Sequence, residues 1–149
     1  MSTANASYTK VGWDELPNNV KVSRPGTYRH PWRTDVQTPG SYESRDYDNV
    51  LGCEHIAFCL DRIAPGQSGM HHRHAQAEEI HLLIKGSCQM MVGDEIVDAK
   101  ELDAIWVPPH VDRSFFNNSD EDAWWIVMGA PVDEFREEGL EMFRAANGY

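Results

Sequence analysis

HHRHAQAEEIHLLIKG, residues 71–86, sets four histidines and two glutamates into sixteen positions. If MHHRHAQ is extended, residues two apart share a face, so His72 and His74 point one way and Arg73 the other. If EIHLLI is a neighbouring strand, Glu79 and His81 likewise share a face. Two imidazoles and a carboxylate that meet at one point offer ligands of borderline hardness, suited to Fe(II), Mn(II), Co(II), Ni(II) or Zn(II). The competing reading is a solvated loop whose histidines do nothing. An acid at short range that leads straight into a branched, apolar strand favours the site.

Outward from this stretch the chain reads as short strands with regular turns. CEHIAFCLDRI (53–63) alternates, and APGQSG (64–69) is a turn. SCQMMVGDEIVDA (87–99) has the form of a hairpin closing at Gly93-Asp94. DAIWVPP (103–109) is a strand stopped by prolines, SFFNNSDED (114–122) a strand end and loop, and AWWIVMGAP (123–131) a strongly apolar strand. Such a series predicts an all-β sandwich or barrel. Residues 1–50 are punctuated by PNN, RPG, HPW and TPGS and read as an irregular arm. That arm carries Trp13, Tyr28, Trp32, Tyr42 and Tyr47, too many aromatics for a disordered tail, so it is expected to pack on the body or on a partner subunit. DEFREEGLEMFRAAN (133–147) spaces Phe135, Leu140, Met142 and Phe143 for a helix, with acids in its first turn and Arg144 in its last, although Gly139 weakens it. The expected organisation is an arm over 1–50, a barrel over 51–131 and a short C-terminal helix over 132–149.

The spacing of the donors resembles the first motif of the cupin superfamily. That motif is a glycine, five residues, HxH, three or four residues, a glutamate, six residues and a glycine. Gly66, His72, His74, Glu79 and Gly86 fall in register. The resemblance selects His72 over His71 and Glu79 over Glu78. It covers roughly residues 55–131 and implies a cupin-type double-stranded β-helix, or jelly roll, with His72, His74 and Glu79 as metal ligands. The family's second motif aligns its two glycines with Leu102 and His110, its proline with Pro108 and its asparagine with Asn117. Its histidine, normally the fourth ligand, is Arg113 here.

A guanidinium stays protonated and has no lone pair to give, so Arg113 cannot ligate a metal. Three readings remain open. In the first, His72, His74 and Glu79 hold the ion as a two-histidine, one-carboxylate facial triad, and Arg113 grips a substrate carboxylate or enolate. In the second, His81 or His110 fills the vacancy. In the third, Arg113 neutralises Glu79 and no catalytic metal binds, leaving a ligand-binding cleft or acid–base chemistry by the histidines. Trp106, Phe115, Phe116, Trp124 and Trp125 are expected to divide between the barrel interior and its exterior as alternation demands, serving packing rather than ligand stacking, and His55 is expected as a satisfied core histidine.

With 149 residues the chain suits one domain, and a formal charge of −11 disfavours nucleic acid and anionic membrane surfaces. No apolar run approaches the roughly 20 residues of a membrane span, and MSTANASYTK lacks the pattern of a secretory signal. Cys53, Cys59 and Cys88 form no CxxC pair and fit a reducing compartment, so the cytoplasm is expected. The predicted function is a metal-dependent enzyme, dioxygenase-like, acting on a small anionic organic molecule. Fe(II) is the first choice of metal, with Mn, Ni, Co or Zn as alternatives; Arg113 would orient the substrate and His81 or His110 would move a proton. The alternatives are a metal-independent or Zn/Mn-type lyase or isomerase, and a non-catalytic small-molecule-binding cupin. The family resemblance and the aromatic arm also imply a homodimer.

Overall fold

The structure, a computed structural model, describes residues 7–18, 21–22, 41–69 and 71–137. Nine strands are present among them: β1 Lys21–Val22, β2 Ser41–Asp46, β3 Ala57–Ile63, β4 Glu78–Lys85, β5 Cys88–Val92, β6 Glu95–Ala99, β7 Ala104–Val107, β8 Arg113–Phe116 and β9 Ala123–Ala130. They form two antiparallel sheets, one in the order β1-β2-β3-β9-β4-β7 and one in the order β6-β5-β8. This is a jelly-roll architecture. No described helix is long and apolar enough to cross a membrane.

Period-two burial explains how the sheets close on each other. In β9, Ala123, Trp125, Val127 and Gly129 face inward, and in β4 the inward set is Glu79, His81 and Leu83. One core joins both sheets: Ile63, Leu83, Val107, Trp125 and Val127 from the larger pack with Cys88, Met90 and Phe115 from the smaller. The Phe115 and Trp125 rings meet across the gap with centroids 5.1 Å apart. Burying a large side chain of this kind contributes on the order of 2–3 kcal/mol. Gly86 ends β4 with φ at 86°, and a Cβ there would stand 2.5 Å from the Asp122 carbonyl oxygen, so both conformation and space demand glycine. The β5–β6 hairpin closes through Gly93-Asp94, as the sequence predicts.

Three expectations need correction. The sheet begins inside the segment expected to be irregular, because β2 pairs with β3 from Glu43↔Arg62 to Asp46↔Cys59. A short helix, α1 Asp48–Leu51, follows it. β3 starts at Ala57 rather than Cys53: Asp48 captures Phe58 N through its side chain and Cys53 N through its carbonyl, and the His55 carbonyl accepts from Val132 N. His55 is therefore not a core histidine; its side chain is 90% exposed. The five aromatics divide between interior and exterior as alternation predicts: Phe115 and Trp125 are core, Phe116 and Trp124 half-buried, and Trp106 exposed. In the arm, Trp13 packs on Trp124 at 5.4 Å beneath the Arg45 guanidinium, and Leu16 is buried. Tyr28 and Trp32 lie outside the described residues. Residues 132–137 are helical, while Gly139, Leu140, Met142, Phe143 and Arg144 lie outside the described residues.

Candidate metal centre

Three elements bring the donors together. Residues 72–74 run beside β8, with His72 N donating to the Arg113 carbonyl at 3.1 Å and Arg113 N to the His72 carbonyl at 2.9 Å. Alternation then does what the sequence requires. The His72 and His74 rings face the same space, edge to face at 4.8 Å, while Arg73 turns outward to Asp112 at 2.9 Å. β4 supplies Glu79 and His81 from its inner face, and β8 supplies Arg113. His74, Glu79, His81 and Arg113 are all buried.

These groups converge on one oxygen. Glu79 Oε1 lies 3.3 Å from His74 Nε2, 3.3 Å from His81 Nε2 and 3.4 Å from Arg113 Nε. None of the three approaches is aligned well enough to hydrogen-bond that oxygen, so a buried carboxylate oxygen stands without an aligned donor. Burial alone would raise the Glu79 carboxyl pKa. The contacts from His74 and His81, with the charges of His81 and His72, outweigh it and hold the group well below the usual carboxylate range. Glu79 is thus held as a carboxylate, with the Arg113 guanidinium 3.4 Å from its Oε1.

The residues present fit a divalent cation. His72, His74 and Glu79 each offer a ligand atom, all within 4.8 Å of one another. Ligands on one face of an octahedron, at ~2.1 Å bonds about 90° apart, would lie roughly 3 Å from one another, so the three side chains must draw in by up to about 1.8 Å around an ion. An under-satisfied buried oxygen between imidazoles suits that ion chemically. Arg113 competes for the same oxygen, which keeps the metal-free reading physically distinct.

The remaining sequence candidates divide. His81 is buried beside the cluster, edge-on to Phe115 at 5.1 Å and to Trp125 at 6.4 Å, but lies outside the donor group of three. His110 is exposed in a left-handed conformation with φ at 67°, and its main-chain N–H donates to the His74 carbonyl at 2.7 Å. Leu102 is likewise left-handed at φ 71°. These are the two positions that the second motif assigns to glycine, so the backbone keeps the motif's shape where the side chains have changed. Asn117, fully buried, ties the barrel by donating to the carbonyls of Ile63 and Glu121. Sequence reasoning missed Glu134 and Phe135, which touch the donor loop; their acidic, helix-starting context gives no sign of that contact.

Residues 59–129 match the family model described as Cupin domain. A Thermotoga maritima protein described as a predicted oxalate decarboxylase is 16% identical, with a TM-score of 0.65 over 83% of this chain and 99% of that one. A putative sugar phosphate isomerase from Acidithiobacillus ferrooxidans is 18% identical, with a TM-score of 0.63 over 81% of this chain and 74% of that one. A cupin protein from Bacteroides fragilis is 14% identical, with a TM-score of 0.61 over 85% and 86%. No curated protein matches the sequence.

Proposed function

The chain belongs to the cupin superfamily, and from that premise we propose a metal-dependent enzyme acting on a small anionic organic substrate, of the non-haem dioxygenase type. His72, His74 and Glu79 would hold a divalent transition metal, Fe(II) first, and Mn, Ni, Co or Zn as alternatives. When bound, the metal would supply Lewis acidity and open coordination positions for substrate and O₂. Arg113 is assigned the substrate anion, since its permanent charge faces the donors from β8 in a dry interior where Coulomb attraction is strong. His81, held edge-on by Phe115 and Trp125, is assigned the proton at its Nε2. His110 is assigned proton exchange at the exposed rim. Oxalate and sugar phosphates, in the descriptions of two structural neighbours, are small anions, which supports the substrate class.

The observation that carries this reading is the meeting of two imidazoles, a depressed carboxylate and a buried guanidinium within one small volume. Its test is metal analysis of tag-free protein reconstituted anaerobically with Fe(II). About one ion per chain, lost in His72→Ala and kept in His81→Ala and His110→Ala, is the expected result. No uptake by the wild type would defeat it.

A second reading is favoured by one distance. Arg113 Nε at 3.4 Å already gives Glu79 a charge partner, so a metal-independent lyase or isomerase, or a binding protein, would need no ion. We place the protein in the cytoplasm as a homodimer; none of the three cysteines is in a disulfide.

A further inference from the structure

The loop between the two donor-bearing segments is held by the turn that follows the last strand. Ala75 N, Gln76 N and Ala77 N all donate to the Glu134 carboxylate: Ala75 to Oε1 at 2.5 Å, Gln76 to Oε2 at 2.9 Å, and Ala77 to Oε2 at 2.6 Å. Three consecutive main-chain N–H groups turned to one point make an anion-binding concavity, and here the protein's own carboxylate fills it. Bonds to an ionised acceptor are roughly twice as strong as neutral ones.

The adjoining residue reaches a ligand directly. The Phe135 ring lies 4.6 Å from the His74 ring at an interplanar angle of 51°. Space for it exists because position 129 of β9 is glycine; a Cβ there would stand 2.8 Å from Phe135 Cε2. The same turn is anchored separately on its far side, where Val132 N donates to the His55 carbonyl at 3.1 Å and Arg136 Nη2 to the Cys53 carbonyl at 2.8 Å. Acids at a helix start are ordinarily read as charges that suit the helix dipole. Glu134 has a more specific task, since all three of its donors belong to the segment joining His74 to Glu79.

We propose that Glu134 and Phe135 are positioning residues: Glu134 fixes the 75–77 loop and Phe135 fixes the His74 imidazole, so that His74 and Glu79 present their donor atoms to a common point. The C-terminal turn thereby sets the affinity of the centre without contributing a ligand. Outer partners that orient metal ligands are typically worth 10- to 100-fold in metal affinity.

Two measurements test this on the full-length protein. In the metal-free state, imidazole NMR shifts of His74 and its nuclear Overhauser contacts with Phe135 report the placement itself. They should change in Glu134→Ala and Gly129→Ala and stay put in Arg136→Ala, which loosens the same turn at its other anchor. With Co(II) as the probe, Kd should rise roughly 10- to 100-fold in Glu134→Ala and Phe135→Leu, less in Glu134→Gln, which retains one oxygen acceptor, and remain within about twofold in Arg136→Ala. Wild-type His74 shifts and wild-type Kd in Glu134→Ala would overturn the proposal, even with a lowered melting temperature. The Co(II) arm rests on the metal reading above: a wild type that takes up no Co(II) defeats that reading, while the His74 shifts still decide this one. Should Glu134→Ala fail to fold, Glu134→Gln and Gly129→Ala carry both arms.

Discussion

Arg113 is placed where its loss should act in two directions. It is fully buried with its Nε 3.4 Å from the Glu79 carboxylate, so Arg113→Met removes a buried charge partner and leaves the histidine contacts alone to hold that carboxylate. Breaking such a pair costs about 3–5 kcal/mol, and the metal-free protein should melt earlier by several degrees. The same change removes a cation that competes for Glu79, so Co(II) should bind at least tenfold more tightly and recover most of the lost stability. A fall in melting temperature that Co(II) leaves untouched would contradict this. Leu102 offers a simpler case. Its side chain is 75% exposed and its φ is 71°, a conformation that costs a non-glycine residue roughly 1 kcal/mol or more. Leu102→Gly should therefore keep or raise stability, by up to ~1 kcal/mol in urea unfolding; a loss above that size would show the side chain has a packing role. Cys88 is buried, and that burial pushes its thiol pKa up to about 12 against weaker lowering by Trp125, Phe116 and Gln89. A thiol with a raised pKa stays protonated below it, so Cys88 should resist alkylation at pH 8 in the native state and react on unfolding. Rapid native alkylation at Cys88 would refute this.

Among the elements, legibility followed whether burial and polarity coincide. β9 reads AWWIVMGA and β4 reads EEIHLLIK, so both show as strands from composition alone. β4 also betrays its chemistry, because Glu79 and His81 occupy positions where an apolar residue would otherwise face the core. β2, SYESRD, was not legible: its inward positions are Tyr42 and Ser44, and a hydroxyl at a core position erases the period-two signal. The first turn of α1 and the start of β3 depend on Asp48 bonding Phe58 N ten residues away, a contact no local pattern announces. The convergence of His72, His74 and Glu79 was readable from alternation and the spacing of the motif it resembles; the grip of Glu134 on residues 75–77 spans 57 to 59 positions and was not.

For the whole molecule, the outer face of the larger sheet raises the question of a partner. Phe58, Leu60, Ile80, Trp106, Ile126 and Met128 share that face, with Ile80 and Trp106 directly opposite each other and 39% and 57% exposed. Glu78 borders these six on one side of the same face and Arg45 and Arg62 on the other, so an apolar centre flanked by acid and base is where two copies can meet. Trp13 already covers the Trp124 end of the same face. Light scattering at micromolar concentration is expected to give twice the 16.9 kDa chain mass, and Trp106→Glu to give one. A wild-type mass of one chain would remove the homodimer.

The proposed metal centre is most directly tested by anomalous diffraction at the cobalt edge from crystals grown with Co(II). One peak is expected with His72, His74 and Glu79 donor atoms about 2.0–2.2 Å away and Arg113 drawn back from Glu79. An empty position there, with the guanidinium still against the carboxylate, would contradict the assignment and leave a barrel that works without an ion.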